Sequence, residues 1–230
     1  MPKERFRKHA AIFRSPAIAC TLICLLGSLF SWANEPPPTI LRWTEGKPGC
    51  TFSADNDGKY RYGIWTDDLG VVIAVDADEL RKASLRIEPL FALFVTLRYR
   101  GNGSASIDPR AFSLEFVNHY HTIQKAIDPD EFADTLQRDT AMFAAKQQES
   151  RTRTLTETAD FVKSRSLRAS RLDPQMAETS GWIFFNAKSK WIGDWKTQEQ
   201  FVLRIPVAGR TFEFPFALPP SHGDLLLRRR

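Results

Sequence analysis

Cysteine is scarce: the chain holds three among 230 residues, and two of them, Cys20 and Cys24, lie in an N-terminal apolar stretch. Cys50 is left alone, so no intramolecular disulfide framework is available once that stretch is removed, and no Cys-x-x-Cys occurs. A solitary Cys reads as a small buried hydrophobe or as an intermolecular bridge. Signatures of common chemistry are absent as well. There is no Walker A loop, dinucleotide fingerprint, His-Glu-x-x-His or Gly-x-Ser-x-Gly elbow. Glycine disappears entirely between Gly103 and Gly181, and proline occurs within 128–170 only at Pro129. That stretch lacks the residues that punctuate turns, and is therefore expected to be organised differently from its surroundings.

A net charge of one sign is also missing where it matters. The formal charge is +5, from 32 Lys+Arg against 27 Asp+Glu. Five of those basic residues and one acid fall within residues 1–33, which leaves 27 against 26. The basic pI is thus a property of the N-terminus, and the remainder offers no basic surface for nucleic acid. The cluster Arg228-Arg229-Arg230 reads as a solvated tail, or as a peripheral contact with anionic lipid or polymer.

The N-terminus follows the order of an export signal. Lys3, Arg5, Arg7, Lys8 and Arg14 precede the apolar run 17–30, and Ser31-Trp32-Ala33 supplies small residues for cleavage after Ala33. The run is 14 residues long, short of the about 20 that cross a bilayer. A retained anchor is the alternative. Neither Cys20 nor Cys24 has the surroundings of a lipidated cysteine. The expectation is an exported chain, periplasmic or extracellular, with any membrane contact through its leader or at the periphery.

Beyond an extended Pro-rich linker over 34–48, alternation and turn chemistry take over. Strands are expected over 49–54, 59–66, 71–75, 90–100, 112–117, 180–185, 199–207 and 211–218, with a helical turn over 76–82. Turns are marked by Asp57-Gly58, Asp67-Asp68-Leu69-Gly70, Gly101-Asn102-Gly103 and Ala208-Gly209. Short strands at this spacing argue for a β-sandwich over 49–220. The glycine-free middle reads as two amphipathic helices, opened by Asp128-Pro129-Asp130-Glu131 and carrying Phe132, Leu136 and Phe143 on one stripe.

The strand ending Arg98-Tyr99-Arg100-Gly101-Asn102, the later Leu172-Asp173-Pro174, and Ser180-Gly181-Trp182-Ile183-Phe184-Phe185 together resemble exported bacterial proteins with immunoglobulin-like β-sandwich domains. The resemblance spans about 88–118 and 171–217. It implies a mainly β, immunoglobulin-like sandwich in the envelope or outside the cell, and no particular reaction. The segment at about 119–170 departs from the family pattern and would be an α-helical insertion.

Two candidate sites stand out. Glu115, His119 and His121 share parity on an extended chain, and two imidazoles with a carboxylate are a workable zinc or copper set. The competing reading is a strand end with solvated polar tips. The loop Lys188-Ser189-Lys190-Trp191-Ile192-Gly193-Asp194-Trp195-Lys196 mixes two Trp with three Lys, which suits contact with a protein, a glycan or a membrane interface. There the competing reading is that Trp191 and Trp195 cap the core. The resulting expectation is an exported, non-enzymatic binding module for an envelope or extracellular protein or glycan, needing no cofactor. An extracytoplasmic metal-dependent or carboxylate hydrolase is the alternative.

Overall fold

The computed structural model describes residues 38–55, 59–76, 89–145, 149–188, 191 and 198–218. The export leader, the Asp57-Gly58 turn, the helical turn expected beyond Asp76, Lys190, Trp195 and the basic C-terminal tail lie outside the described residues.

The described chain is mainly β. One five-stranded sheet has the order β10-β5-β4-β3-β2. It comprises β2 (Cys50–Ala54), β3 (Lys59–Trp65), β4 (Leu69–Asp76), β5 (Leu90–Tyr99) and β10 (Glu178–Asn186), all antiparallel. The β-branched run at Val71–Val75 accordingly sits in the middle strand, where its composition favours it. Val71, Ile73 and Val75 are buried there, and Val72 and Ala74 on the other face are half-buried. The second sheet has the order β1-β12-β11-β7-β8. It is formed by β1 (Thr39–Arg42), β7 (Ser113–Phe116), β8 (Thr122–Lys125), β11 (Glu199–Val207) and β12 (Arg210–Leu218). Here β1 runs parallel to β12 and the other pairs are antiparallel. A small third sheet joins β6 (Ala105–Ile107) to β9 (Ser170–Leu172).

The two large sheets share one core. Alternation sends Leu114 and Phe116, Phe201, Leu203 and Ile205, and Phe212, Phe214 and Phe216 to the same side of their sheet. Phe91 meets Phe201 at a ring separation of 4.7 Å and Phe116 at 5.8 Å, and Tyr62 meets Phe216 at 5.9 Å. Burial pushes the Tyr62 phenol well above its ordinary range, so its hydroxyl stays neutral. At one end Arg210, opening β12, grips Asp68 in the β3–β4 turn with two parallel bonds of 2.8 and 2.6 Å. This fork ties one sheet to the other. The β11–β12 hairpin closes through Ala208 and Gly209, both at positive φ (52° and 71°). A two-residue turn between twisted strands requires that conformation.

Helices α1 (Pro129–Ala145) and α2 (Glu149–Arg165) follow β8 in the chain. Asp128 caps the first by accepting from the backbone N–H groups of Asp130 and Glu131. Ala133, Leu136, Leu155 and Ala159 bury one helix against the other. Phe161 and Val162 turn to β10, with the Phe161 ring 5.9 Å from that of Phe184. The chain leaving α2 then lies on β10. Leu167 donates its N–H to the Trp182 carbonyl at 2.8 Å, and a Cβ on Gly181 would sit 2.5 Å from the Leu167 nitrogen. Only glycine fits that approach.

Three expectations change. The linker expected over 34–48 contains β1, whose hydrogen bonds to β12 make it part of the sheet. The segment 119–170, expected as a helical insertion, opens with a turn and β8 and closes with β9, while its helices start at Pro129 as Asp128-Pro129 marks. Strands β6 and β9 have three residues each, too short for an alternation pattern.

Candidate functional site

The two outer faces of the large sheets differ in kind. On the β1-β12-β11-β7-β8 sheet, each strand alternates core residues with residues that point away from the core. Register then aligns those outward residues into rows. Arg42 faces Glu213, Glu213 faces Arg204, and Arg204 faces Ser113. Pro215, Val202, Glu115 and Ile123 form the adjacent row.

An ionic ladder crosses these rows. Arg42 donates Nη1–H to Glu213 Oε2 at 2.8 Å. Arg204 donates Nε–H to Glu213 Oε1 at 3.1 Å and Nη2–H to Glu115 Oε2 at 2.6 Å. His121 Nδ1 closes the chain on Glu115 Oε1 at 2.6 Å. Glu115 and Glu213 are only 8% and 7% exposed, so each needs its partners to offset lost hydration. The His121 hydrogen bond, aided by Arg204, holds the Glu115 carboxyl below its usual range against the opposing effect of burial.

Beside the ladder lies an open groove of about 550 Å³, within the size range of small-ligand sites. It arises because β1 stops pairing at Arg42, while β12 runs on to Leu218. Trp43 gives its N–H to the Glu213 carbonyl and then swings onto Tyr62, ring to ring at 5.1 Å. Its indole N–H is fixed on the Thr51 carbonyl at 2.9 Å. Arg42, Trp43 and Glu45 line the groove from the β1 side; His121, Gln200 and Arg204 line it from the β7 and β11 side.

The proposed metal set does not converge. Strand β7 ends at Phe116, so the i, i+2 parity that would align His119 and His121 with Glu115 is lost in the turn. Tyr120 and His121 have φ of 57° and 53°, a left-handed conformation uncommon for residues other than glycine. The two imidazoles diverge. His121 takes Glu115, whereas His119 stacks on Trp191 with centroids 4.5 Å apart. The His119 Nε2 lies 3.2 Å from Glu199 Oε2 but off hydrogen-bonding direction, so that contact is electrostatic and needs a protonated ring. Among the described residues, no group of three His, Cys, Asp or Glu side chains is placed to hold a metal ion.

Of the contact loop, Lys188 and Trp191 are described. Trp191 is 6% exposed and packs on Phe116 at 5.0 Å, so it caps the core and offers no free ring to a partner. Lys188 places its ammonium 5.0 Å from the Trp191 centroid, closing over the same ring. Trp195 and Lys190 lie outside the described residues. Cys50 is an unbridged, half-buried thiol at the edge of the core.

Sequence reading finds Glu115 and His121 but misses Arg42, Arg204, Glu213 and Trp43. A signal is available for two of them. Arg204 sits between Leu203 and Ile205, and Glu213 between Phe212 and Phe214. Each is a charge at the outward position of a core strand. That the two meet depends on register, which local sequence does not state.

No protein family matches the chain, and no curated protein does. Among solved structures, the chain is similar to a Bacillus subtilis protein provisionally classed as a lipoprotein, at 12% identity and a TM-score of 0.34. That match covers 79% of this chain and 41% of the other, so the chain spans about two-fifths of that protein's length.

Proposed function

We propose that this chain is an exported, non-enzymatic module of the immunoglobulin-like β-sandwich type that binds a component of the cell envelope or its surroundings. The groove beside the Arg42–Glu213–Arg204–Glu115–His121 ladder is its binding site. Strand order supports the fold assignment: β12-β11-β7 follow one another as the G, F and C strands do, and β10 lies beside β5 as E lies beside B. In that scheme the β2–β3–β4 meander takes the place of the first edge strand, and α1 and α2 are an insertion before the E strand. The order of basic, apolar and small residues in the leader supports export. Among the described residues, no helix is long and apolar enough to cross a membrane.

The observation that carries the binding reading is that the ladder's charges are already partnered. A carboxylate hydrolase needs one carboxyl that keeps a proton near neutral pH. Glu115 is held in the opposite direction. A His–carboxylate pair can orient a base, but among the described residues no Ser, Thr or Cys side chain lines the groove to serve as its nucleophile.

The test is hydrogen exchange on the exported protein with and without purified envelope material. Slower exchange at 115–121, 198–204 and 213–217 is the expected result. Protection confined to other segments would remove this face from the function, and turnover of any compound by the purified protein would replace the binding reading with an enzymatic one. Intact mass distinguishes a chain starting at Asn34 from one that keeps Met1.

A further inference from the structure

We infer that the groove takes a neutral oligosaccharide, an inference that rests on the binding reading above and names its ligand class. Charge narrows the choice first. Arg42 and Arg204 are the cations of the groove, and both are engaged by Glu213 and Glu115. An incoming anion would find both guanidinium charges already balanced by Glu213 and Glu115 and could reach only their leftover N–H groups, so charge gives it little net attraction. An incoming cation would meet the two guanidinium groups, and the groove's carboxylates, Glu45 included, already interact with protein groups. A ligand without charge disturbs neither.

Hydrogen-bonding capacity narrows it further. The ladder fixes planar groups in place and leaves some of their hydrogen-bonding nitrogens unused. Among the described residues, Arg204 spends Nε and Nη2 and keeps Nη1, while His121 spends Nδ1 and keeps Nε2 on a ring that is 70% exposed. The Gln200 side chain adds an amide that both donates and accepts. Donors and acceptors are thus both present in the groove lining, matching hydroxyl groups that do both. Trp43, held by its indole hydrogen bond, and Pro215 supply apolar surface for the C–H faces of a sugar ring.

An extended peptide is disfavoured by the same edge that would receive it. Glu213 directs its carbonyl to Trp43, so the next residue facing that edge is Pro215, which has no N–H. Proline on an open edge interrupts the ladder a docking strand would need.

The experiment titrates the exported protein with maltohexaose, cellohexaose, mannohexaose and chitohexaose, with dextran sulfate and an alternating Thr-Val decapeptide as the other arms. The expected result is a dissociation constant below about 1 mM for at least one neutral hexasaccharide, nearly independent of salt. Gln200→Ala, at an exposed position, should weaken it by about tenfold without lowering the melting temperature. Trp43→Phe should weaken it too, with circular dichroism reporting whether the fold survives. Tighter binding of dextran sulfate with a steep salt dependence overturns the inference, and so does binding of the decapeptide. Failure of all four sugars while envelope material still protects the groove would overturn the ligand class and leave the site standing. Loss of both would overturn both.

Discussion

One sheet of this protein wears its helices on an apolar outer face; the other carries a face of paired charges. Beneath α2 the outer surface of the β10-β5 pair carries Phe184 opposite Ala92 and Trp182 opposite Phe94, with the last two rings 5.5 Å apart. Across the core, the outer surface of β12-β11-β7 carries Glu213, Arg204 and Glu115 at the equivalent alternating positions. A β-sheet with two apolar faces must be covered on both, and α1–α2 supply that cover on one side. Paired charges need no such cover. The difference places apolar burial on one outer face and a network of ion pairs on the other.

The largest effect should come from the covered face. Phe184 is 2% exposed and lies against Phe161, so Phe184→Ala should cost about 3–5 kcal/mol. Val202→Ala, on the half-buried opposite face, should cost about 1 kcal/mol. Urea midpoints of the two variants measure the contrast. Equal losses would show that both outer faces contribute alike to stability.

Next in size is the ladder's centre. Arg204→Ala leaves Glu115 and Glu213 without their shared cation, and a loss of about 2–4 kcal/mol is expected. Adding Glu115→Gln and Glu213→Gln should recover most of it, because the unpaired buried charges are then gone. If the triple variant is as unstable as the single one, packing of the Arg204 stem, not charge, holds this face together.

How much of this is legible in the sequence follows the range of the forces involved. The strands at Val71–Val75, Phe201–Val207 and Phe212–Leu218 announce themselves because alternation and β-branching are local properties. The start of α1 is equally local, written in Asp128-Pro129. Strand β1 is hidden because a Pro-rich context reads as linker, while its strand character comes from a parallel neighbour 171 residues later in the chain, Glu213 beside Arg42. The His119–His121 reading fails at one point, the termination of β7 at Phe116. Two left-handed residues then send the rings apart, and nothing in Tyr120 advertises positive φ. Trp191 is ambiguous because an aromatic serves burial and contact equally well by composition. Only its neighbours Phe116 and His119 decide.

A smaller effect probes how the helices are seated. Gly181→Ala drives a Cβ to 2.5 Å from the Leu167 backbone nitrogen, and about 1–3 kcal/mol is the expected loss. Exchange at α2 amides should accelerate while β11 and β12 stay protected. Uniform acceleration would show that the helices and both sheets unfold as one unit.

Below that comes an acid effect unrelated to either face. The Arg210 fork, helped by Thr66, lowers the Asp68 carboxyl from 3.8 to about 2. A depressed folded-state value stabilises the protein above the unfolded value and is lost as pH falls through the folded one. The window is therefore roughly pH 4 down to 2. The side chain is 40% exposed, so screening reduces the contribution to about 1 kcal/mol. In Asp68→Asn, the stability-versus-pH curve should lose that slope and be lower at neutral pH; an unchanged curve would mean the fork is open in solution.

The smallest effect sharpens the comparison most, because it asks whether the uncovered face is organised without a ligand. His121→Asn keeps a residue that tolerates the left-handed backbone at this position while removing the imidazole from Glu115. The hydrogen bond from His121 is the largest influence lowering the Glu115 carboxyl, with Arg204 behind it. The carboxyl should therefore titrate at higher pH in the variant, though still under the influence of Arg204, as followed by carboxyl carbon NMR shifts. Because the folded-state value is depressed, any stability lost should appear above the ordinary glutamate range and vanish in acid. The His121 side chain is 70% exposed, so about 0.3 kcal/mol is the expected size. If Glu115 titrates identically in both proteins, the ladder ends at Arg204, and His121 loses its place in the groove.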